Sequence, residues 1–324
     1  MKVCIYGAGA IGSWLGVRLA QAGCELGAVA RGDTLTALRT HGLRLLEQGR
    51  TQSVPVRASD SPADLGVQDL VVVAVKATAM AQVARAIAPL LGPHTMVLTA
   101  MNGVPWWFLQ DFGGEHAGQR LQAVDPDGDI ARAVPPPHII GGVVHASCSL
   151  HSPGVASHHF GNKLIIGEPS GERTARVDAL AALLERAGFE TVLSERIQKD
   201  IWYKLWGNMT VNPISAITGA TTDRILDDDL VRGFISSVML EAREIGARIG
   251  IPIAQQPEDR HQVTRKLGAF KTSMLQDVEA GRPVELDALV AVVKELGALT
   301  GVATPFTDVL LGLSRLHARV HGLY

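Results

Sequence analysis

The opening residues constrain the fold of this chain more than any other stretch. They run Met-Lys-Val-Cys-Ile-Tyr-Gly7-Ala8-Gly9-Ala10-Ile11-Gly12, then Ser-Trp-Leu-Gly-Val-Arg-Leu-Ala-Gln-Ala-Gly23. Residues 3–6 read as a short buried strand, and residues 11–22 as an amphipathic helix closed by Gly23. A G-x-G-x-x-G run alone says little, but between a strand and a helix it is specific. Gly7 allows the tight turn, Gly9 lets a pyrophosphate approach the backbone, and Gly12 lets helix and strand pack closely. The helix N-terminus adds free N–H groups and a positive dipole end for that anion. Residues Gly7, Ala8, Gly9, Ala10, Ile11 and Gly12 are therefore the candidate dinucleotide-binding turn. The alternative is a set of glycines that only shapes the turn.

A second strand, residues 25–30, is expected to end beside the adenosine ribose. An NAD site usually places Asp or Glu there to hold the 2′-hydroxyl. Here the strand runs out as Val29-Ala30-Arg31-Gly32-Asp33, so a cation comes first. Arg31 can meet a 2′-phosphate with a forked, charge-assisted contact, which points to NADP(H). The other reading makes Arg31 a solvated turn residue and gives the ribose to Asp33.

Up to about residue 195, strands and helices alternate. Residues 70–75, Leu-Val-Val-Val-Ala-Val, form a continuous apolar run of parallel-sheet type, with a helix through Leu91 beyond it. Residues 96–100 read as the next strand, 139–149 and 154–166 as an antiparallel pair, 173–187 as a helix and 190–194 as a last strand. From Glu195 onward every segment reads as helix, including 226–249 and 258–280. Pro283 and Pro305 suit first helical turns, and Thr304 suits the cap of the last helix. The expectation is α/β: an N-terminal Rossmann-type dinucleotide-binding domain over 1–195, then an all-helical C-terminal domain over 196–324, with the cleft between them.

The first of these helices carries an unusual stripe. Lys204, Asn208 and Asn212 stand four residues apart, so one ammonium and two amides lie nearly one above another. Ile197, Ile201, Leu205, Met209, Trp202 and Trp206 make the rest of the helix apolar, and such a helix is buried. Polar groups buried without partners cost free energy. A polar ligand lining this wall would satisfy them; a satisfied internal network, or a lysine reaching out to solvent, are the alternatives.

Composition narrows the partners. A net charge of −2 over 324 residues gives no reason to expect nucleic acid or an anionic membrane. No apolar run reaches the ~20 residues of a membrane helix. Cys4, Cys24 and Cys148 are odd in number and suit a reduced cytoplasmic setting. His145, His151, His158 and His159 near Cys148 alternate across strands without ligand spacing, so no metal is expected. Asp227, Asp228 and Asp229 read as a solvated helix start.

Taken in order, Gly7-Ala-Gly-Ala-Ile-Gly12, Val75-Lys76, Asn102-Gly103, Lys204-x3-Asn208-x3-Asn212-Pro213 and Ser273-Met-Leu-Gln-Asp277 followed by Glu285 resemble the ketopantoate reductase (2-dehydropantoate 2-reductase) family. The resemblance covers nearly the full length. It implies NADPH-dependent reduction of a 2-oxo acid to the 2-hydroxy acid, the ketopantoate-to-pantoate step of pantothenate biosynthesis. It makes Lys204 the group that protonates the carbonyl oxygen, with Glu285 holding that lysine and contacting the substrate hydroxyl. It also implies that Asn208, Asn212 and Ser273 bind substrate oxygens. Lys76 and Asn102, past the ends of parallel strands, would meet the substrate or the nicotinamide ribose. Glu285 two residues after Pro283 would also suit a helix first turn on dipole grounds alone.

Two features depart from the compact family pattern. Asn102-Gly-Val is followed by Pro105-Trp106-Trp107-Phe108, and then by a polar insertion at 113–137. These either cover the cleft and reshape it for a bulkier 2-oxo acid, or form a surface excursion over a small aromatic cluster. The rival functions are a dehydrogenase of another 2-hydroxy acid and a non-catalytic dinucleotide sensor; the expected partner is a small 2-oxo acid, with a homodimer as the possible assembly.

Overall fold

The computed structural model describes residues 1–324, which fall into two compact units. Unit 1 comprises Met1–Met101, Gln110–Phe112 and Gly128–Asp200; unit 2 comprises Asn102–Leu109, Gly113–Asp127 and Ile201–Tyr324.

Unit 1 starts as the glycine pattern requires, with β1 (Lys2–Tyr6), α1 (Ala10–Gln21), β2 (Glu25–Val29) and α2 (Gly32–His41). There follow β3 (Leu43–Glu47), β4 (Arg50–Val54), β5 (Arg57–Ser59), β6 (Leu70–Val73), α3 (Met80–Ala86), β7 (Met96–Thr99) and α4 (Asp129–Ala133). The unit closes with β8 (Ile139–Ser152), β9 (Val155–Gly167), α5 (Ala175–Arg186) and β10 (Glu190–Leu193). One sheet runs β4-β3-β9-β8-β7-β6-β1-β2-β5, with β10 beside β9. From β2 through β1, β6 and β7 to β8 the pairing is parallel, and β8 with β9 is antiparallel.

The sheet curls around α1. A side-chain carbon placed on Gly16 of this helix would lie 2.6 Å from Leu43 of β3 and 3.0 Å from Ile5 of β1. Strands at distant places in the sheet thus press on one helical position, and Trp14, Leu15, Val17 and Leu19 are wholly buried. No strand is expected from the sequence between residues 30 and 70. The hairpin of β3 and β4 arises there because its turn, Gln48-Gly49, takes positive φ at both positions, a primed-type hairpin turn.

Unit 2 is helical, as expected. It contains most of α6 (Ile197–Thr218), then α7 (Thr222–Asp227), α8 (Asp229–Arg248), α9 (Pro257–Arg265) and α10 (Ser273–Glu279). A π-helical turn, Asp287–Ala291, leads into α11 (Val292–Thr300), and α12 (Pro305–Val320) follows.

Three helix boundaries differ from the sequence reading. The segment 258–280 is two helices, because Thr272 caps a new start by accepting from the Leu275 N–H at 3.2 Å. The segment 226–249 divides at Asp228, whose carboxylate accepts from the Leu230 and Val231 N–H groups, each at 3.0 Å. Pro283 and Glu285 lie in no helix; the chain is irregular over 282–285 and becomes helical at Leu286. Thr304 does precede α12, but its hydroxyl donates to Asp308 at 3.1 Å. The cap comes from Glu241 of α8, whose carboxylate accepts from the Phe306 and Thr307 N–H groups, each at 2.9 Å.

The expected single insertion is divided as well: 113–127 belongs to unit 2 and 128–137 to unit 1. Its first part, 113–120, is mostly exposed, but Leu121 and Asp125 are buried. The Glu295 carboxylate on α11 accepts from the Gln122 N–H at 2.6 Å and the Ala123 N–H at 2.8 Å. Trp106, Trp107 and Phe108 are at most 2 % exposed, and Phe108 lies 6.2 Å from the Trp202 ring. These aromatic side chains are core of unit 2, which favours the aromatic-cluster reading for them.

Candidate active site

In unit 1 the three glycines of the turn differ in what fixes them. Gly7 has φ +99°, and a side chain there would stand 2.6 Å from Val75 past the end of β6. A side chain on Gly12 would overlap the Gly7 carbonyl. Packing within the protein explains both. At Gly9 a side-chain carbon would find no atom within 4 Å, so internal packing gives no reason for a glycine. Close approach of a ligand does, and a dinucleotide pyrophosphate fits it. Gly9 precedes α1 with no side-chain cap and no acid in the first turn, which leaves the N–H groups to an anion.

Arg31 stands two residues past the end of β2 and is exposed, at the residue preceding α2; Asp33 is exposed in the first turn of that helix. Lys76 is partly buried and heads the 3-10 turn Ala77–Ala79. Its neighbour Val75 is the residue against Gly7, so the Lys76 backbone is fastened beside the glycine turn.

In unit 2 the polar stripe is aimed by the opposite side of α6. The Trp202 indole donates to the Ala242 carbonyl at 3.2 Å, and the Trp206 indole to the Met239 carbonyl at 2.7 Å, both on α8. Lys204 and Asn208 each stand two residues later, roughly 200° round the helix, so they point away from α8. Lys204 and Asn208 are partly buried and Asn212 is buried. Burial lowers the Lys204 pKa to about 8; Arg260 pushes it the same way and Glu285 opposes them.

Glu285 is buried, at 9 % exposure, in the irregular segment before the π turn. Its carbonyl accepts from the Leu289 N–H at 3.2 Å, which ties it to that turn. The Asn102 loop is pinned to the same turn. The Val104 N–H donates to the Ala288 carbonyl at 2.9 Å, and Gly103, at φ +84°, leaves no room for a side chain against Ala288. Lys204, Glu285 and the Asn102 loop are thus gathered in unit 2. Ser273 is exposed at the first residue of α10 and makes no hydrogen bond to the others.

Arg260 is not among the site residues expected from the sequence. Its guanidinium lies against α6 at Gly207, and a side chain there would stand 2.6 Å from Nε. The available signal was Gly207 itself, a glycine interior to a buried helix, where it costs about 1 kcal/mol relative to Ala.

Two family models cover most of the chain: ketopantoate reductase PanE/ApbA over residues 3–171, and the C-terminal region of the same family over 196–318. The chain belongs to the ketopantoate reductase family. It is 45% identical over 325 residues to a 2-dehydropantoate 2-reductase of Mesorhizobium japonicum, covering 100% of both chains. A crystal structure assigned to a ketopantoate reductase from Ralstonia solanacearum MolK2 is 59% identical, covers 99% of each chain and superposes with a TM-score of 0.96. D-mandelate dehydrogenase, in a ternary structure with NADH and anilino(oxo)acetate, shares the fold at 22% identity and a TM-score of 0.84, covering 100% of both chains. Ketopantoate reductases are dinucleotide-dependent oxidoreductases, and this chain is one of that class. No helix is long and apolar enough to cross a membrane.

Proposed function

We propose that this protein reduces 2-dehydropantoate to pantoate with NADPH, and that the residues carrying the step are those gathered around α6. The observation that supports this most is Lys204, an ammonium with its pKa lowered to about 8, on a helix whose other faces are apolar. A lysine tuned toward neutral pH can give up its proton as an alkoxide develops. A dinucleotide sensor has no use for such a group.

The glycine turn and the N-terminus of α1 hold the pyrophosphate, and Arg31 holds the 2′-phosphate, which selects NADPH over NADH. When bound, the dinucleotide supplies the hydride that reaches the carbonyl carbon. Lys204 hydrogen-bonds the keto oxygen and transfers its proton to it, so the ketone gains one hydride and one proton. Glu285 keeps Lys204 charged until that transfer and accepts from the product hydroxyl. Asn208, Asn212, Asn102 and Ser273 bind the remaining substrate oxygens, and Lys76 meets the substrate or the nicotinamide ribose.

The test is NADPH oxidation across a panel of 2-oxo acids, with Lys204→Ala beside the unaltered protein. Turnover on 2-dehydropantoate should lead the panel and fall roughly 10²–10⁴-fold in the variant. A different preferred acid would move the assignment to another 2-hydroxy acid dehydrogenase. Undiminished turnover in Lys204→Ala would remove the lysine from the chemistry.

The reaction is placed in the cytoplasm, in keeping with three free cysteines. A second copy of the chain is proposed to cover α12, where Phe306, Val309, Leu313, Leu316 and Val320 are exposed at helical spacing. Sedimentation of Leu316→Glu, expected to be monomeric, checks this.

A further inference from the structure

Arg260 sits on α9 in a place that its own chain leaves electrically incomplete. Its Nε is buried with no hydrogen-bond partner; the neutral Tyr203 side chain hydrogen-bonds the guanidinium, and no carboxylate pairs with it. The guanidinium carbon lies 5.4 Å from the Tyr203 ring centroid, and a side chain on Gly207 would stand 2.7 Å from Nη2 and 3.0 Å from Cζ. Tyr203 and Gly207 are one stripe of α6, and Lys204 and Asn208 are the stripe beside it. The guanidinium is therefore laid along the stripe next to the polar ladder, in a groove that exists because residue 207 has no side chain, and close enough for its charge to act on Lys204.

Two cations brought together under partial burial repel each other, and each depresses the other's hold on a proton unless an anion intervenes. Arg260 does lower the Lys204 pKa, and burial lowers its own. Glu285 supplies one negative charge beside Lys204. Counting Lys204 and Arg260 as +1 each and Glu285 as −1 leaves +1, the charge that one carboxylate neutralises. Buried cations in folded proteins are paired, and Arg presents a planar fork that matches a carboxylate in two places.

Resting on the 2-oxo acid reading above, we propose that Arg260 binds the substrate carboxylate and sets the preference for an acid over its neutral analogues, while Lys204 addresses the keto oxygen. Gly207 is part of this device: its missing side chain gives the guanidinium its seat. Lysine at 260 would keep the charge and lose the fork, so it would restore only part of the binding.

The experiment compares the unaltered protein with Arg260→Met, Arg260→Lys and Gly207→Val. Each is assayed with 2-dehydropantoate and with its neutral amide, and oxamate binding to the NADPH-loaded protein is measured by calorimetry. Arg260→Met should raise KM for the acid by roughly 30-fold or more, weaken oxamate alike, and leave the amide and NADPH affinity within about twofold. Gly207→Val should reproduce this pattern by displacing the guanidinium, and adding it to Arg260→Met should change little further. Arg260→Lys should fall between.

Unchanged acid preference and oxamate binding in a folded Arg260→Met protein would overturn the proposal. So would an equal loss of kcat on acid and amide at constant KM, with the pH limb moved upward, because Arg260 would then act only through the Lys204 pKa. If the unaltered protein reduced no 2-oxo acid, the functional reading would fail. Loss of oxamate binding in Arg260→Met would still support the carboxylate site, and its retention would overturn it.

Discussion

Replacing Glu285 with Gln keeps the shape of the side chain and removes the one charge that favours the Lys204 ammonium. In the intact protein this group ionises at about 8, against 10.5 for a lysine in water. That gap is about 3 kcal/mol, at 1.36 kcal/mol for each tenfold change in proton affinity. Burial and Arg260 create it, and Glu285 keeps it from being larger. Losing an opposite charge at close range moves a pKa by about 1 to 3, so the Lys204 pKa in Glu285→Gln should fall to about 7 or below. At pH 7.5 the ammonium fraction then drops from about three quarters to about one quarter.

The assay is single-turnover NADPH oxidation with saturating 2-dehydropantoate, followed from about pH 6 to about pH 10. In the reducing direction the proton must be present, so the rate falls as pH rises through the Lys204 pKa. In the oxidising direction the limb inverts. The variant should lose about threefold at pH 7.5 from protonation alone, and any greater loss reports the positioning that Glu285 provides. Stability runs with pH in the opposite sense to the reducing rate. A lysine with its folded pKa lowered destabilises the native state most below about 8, and stability from this group rises with pH between about 8 and 10.5. Glu285→Gln should extend that window downward. A descending limb that stays put, or moves to higher pH, would refute the pairing of these two residues.

Gly9→Ala meets no neighbouring atom, so thermal stability should change little while NADPH affinity falls by roughly tenfold or more, about 1.4 kcal/mol; unchanged affinity would mean that no ligand approaches there. Arg31→Ala should weaken NADPH by about 1.5–3 kcal/mol and NADH hardly at all, and calorimetry showing equal weakening of both would return the ribose to Asp33. Glu241→Gln removes the charge from the N–H groups of Phe306 and Thr307, so urea unfolding should show a loss of about 1–2 kcal/mol with dinucleotide affinity intact. A change under about 0.3 kcal/mol would show that α12 does not need this cap.

What could be read in the sequence was whatever repeats at a fixed spacing. The strand-glycine-helix start, the apolar run in β6 and the four-residue ladder on α6 each declare themselves locally, and each is present. The β3–β4 hairpin was illegible because Leu43–Glu47 and Arg50–Val54 are short and half polar, and the strand that ties the hairpin into the sheet, β9 beside β3, lies more than a hundred residues away. The break at 266–272 was hidden because helix-favouring residues flank it on both sides. Arg260 was invisible for another reason: an arginine four residues into a polar helix reads as solvated, and only the fold brings Gly207 beneath it. The Glu241 cap is similarly non-local, since Thr304 offers the ordinary local signal in the same place.

The membership of Asn102–Leu109 in unit 2 has a consequence for the order in which the protein can be completed during synthesis. Trp106, Trp107 and Phe108 leave the ribosome early, yet their loop packs on α6 and on the π turn, which is complete only at Ala291. At 5–20 residues per second, about 200 residues of later chain take about 10–40 s. Through that interval three large apolar side chains wait on a nascent chain whose first sheet strands are already made. A pause or truncation after β10 would leave them stranded, which makes this loop the place where a holding chaperone would be expected to bind.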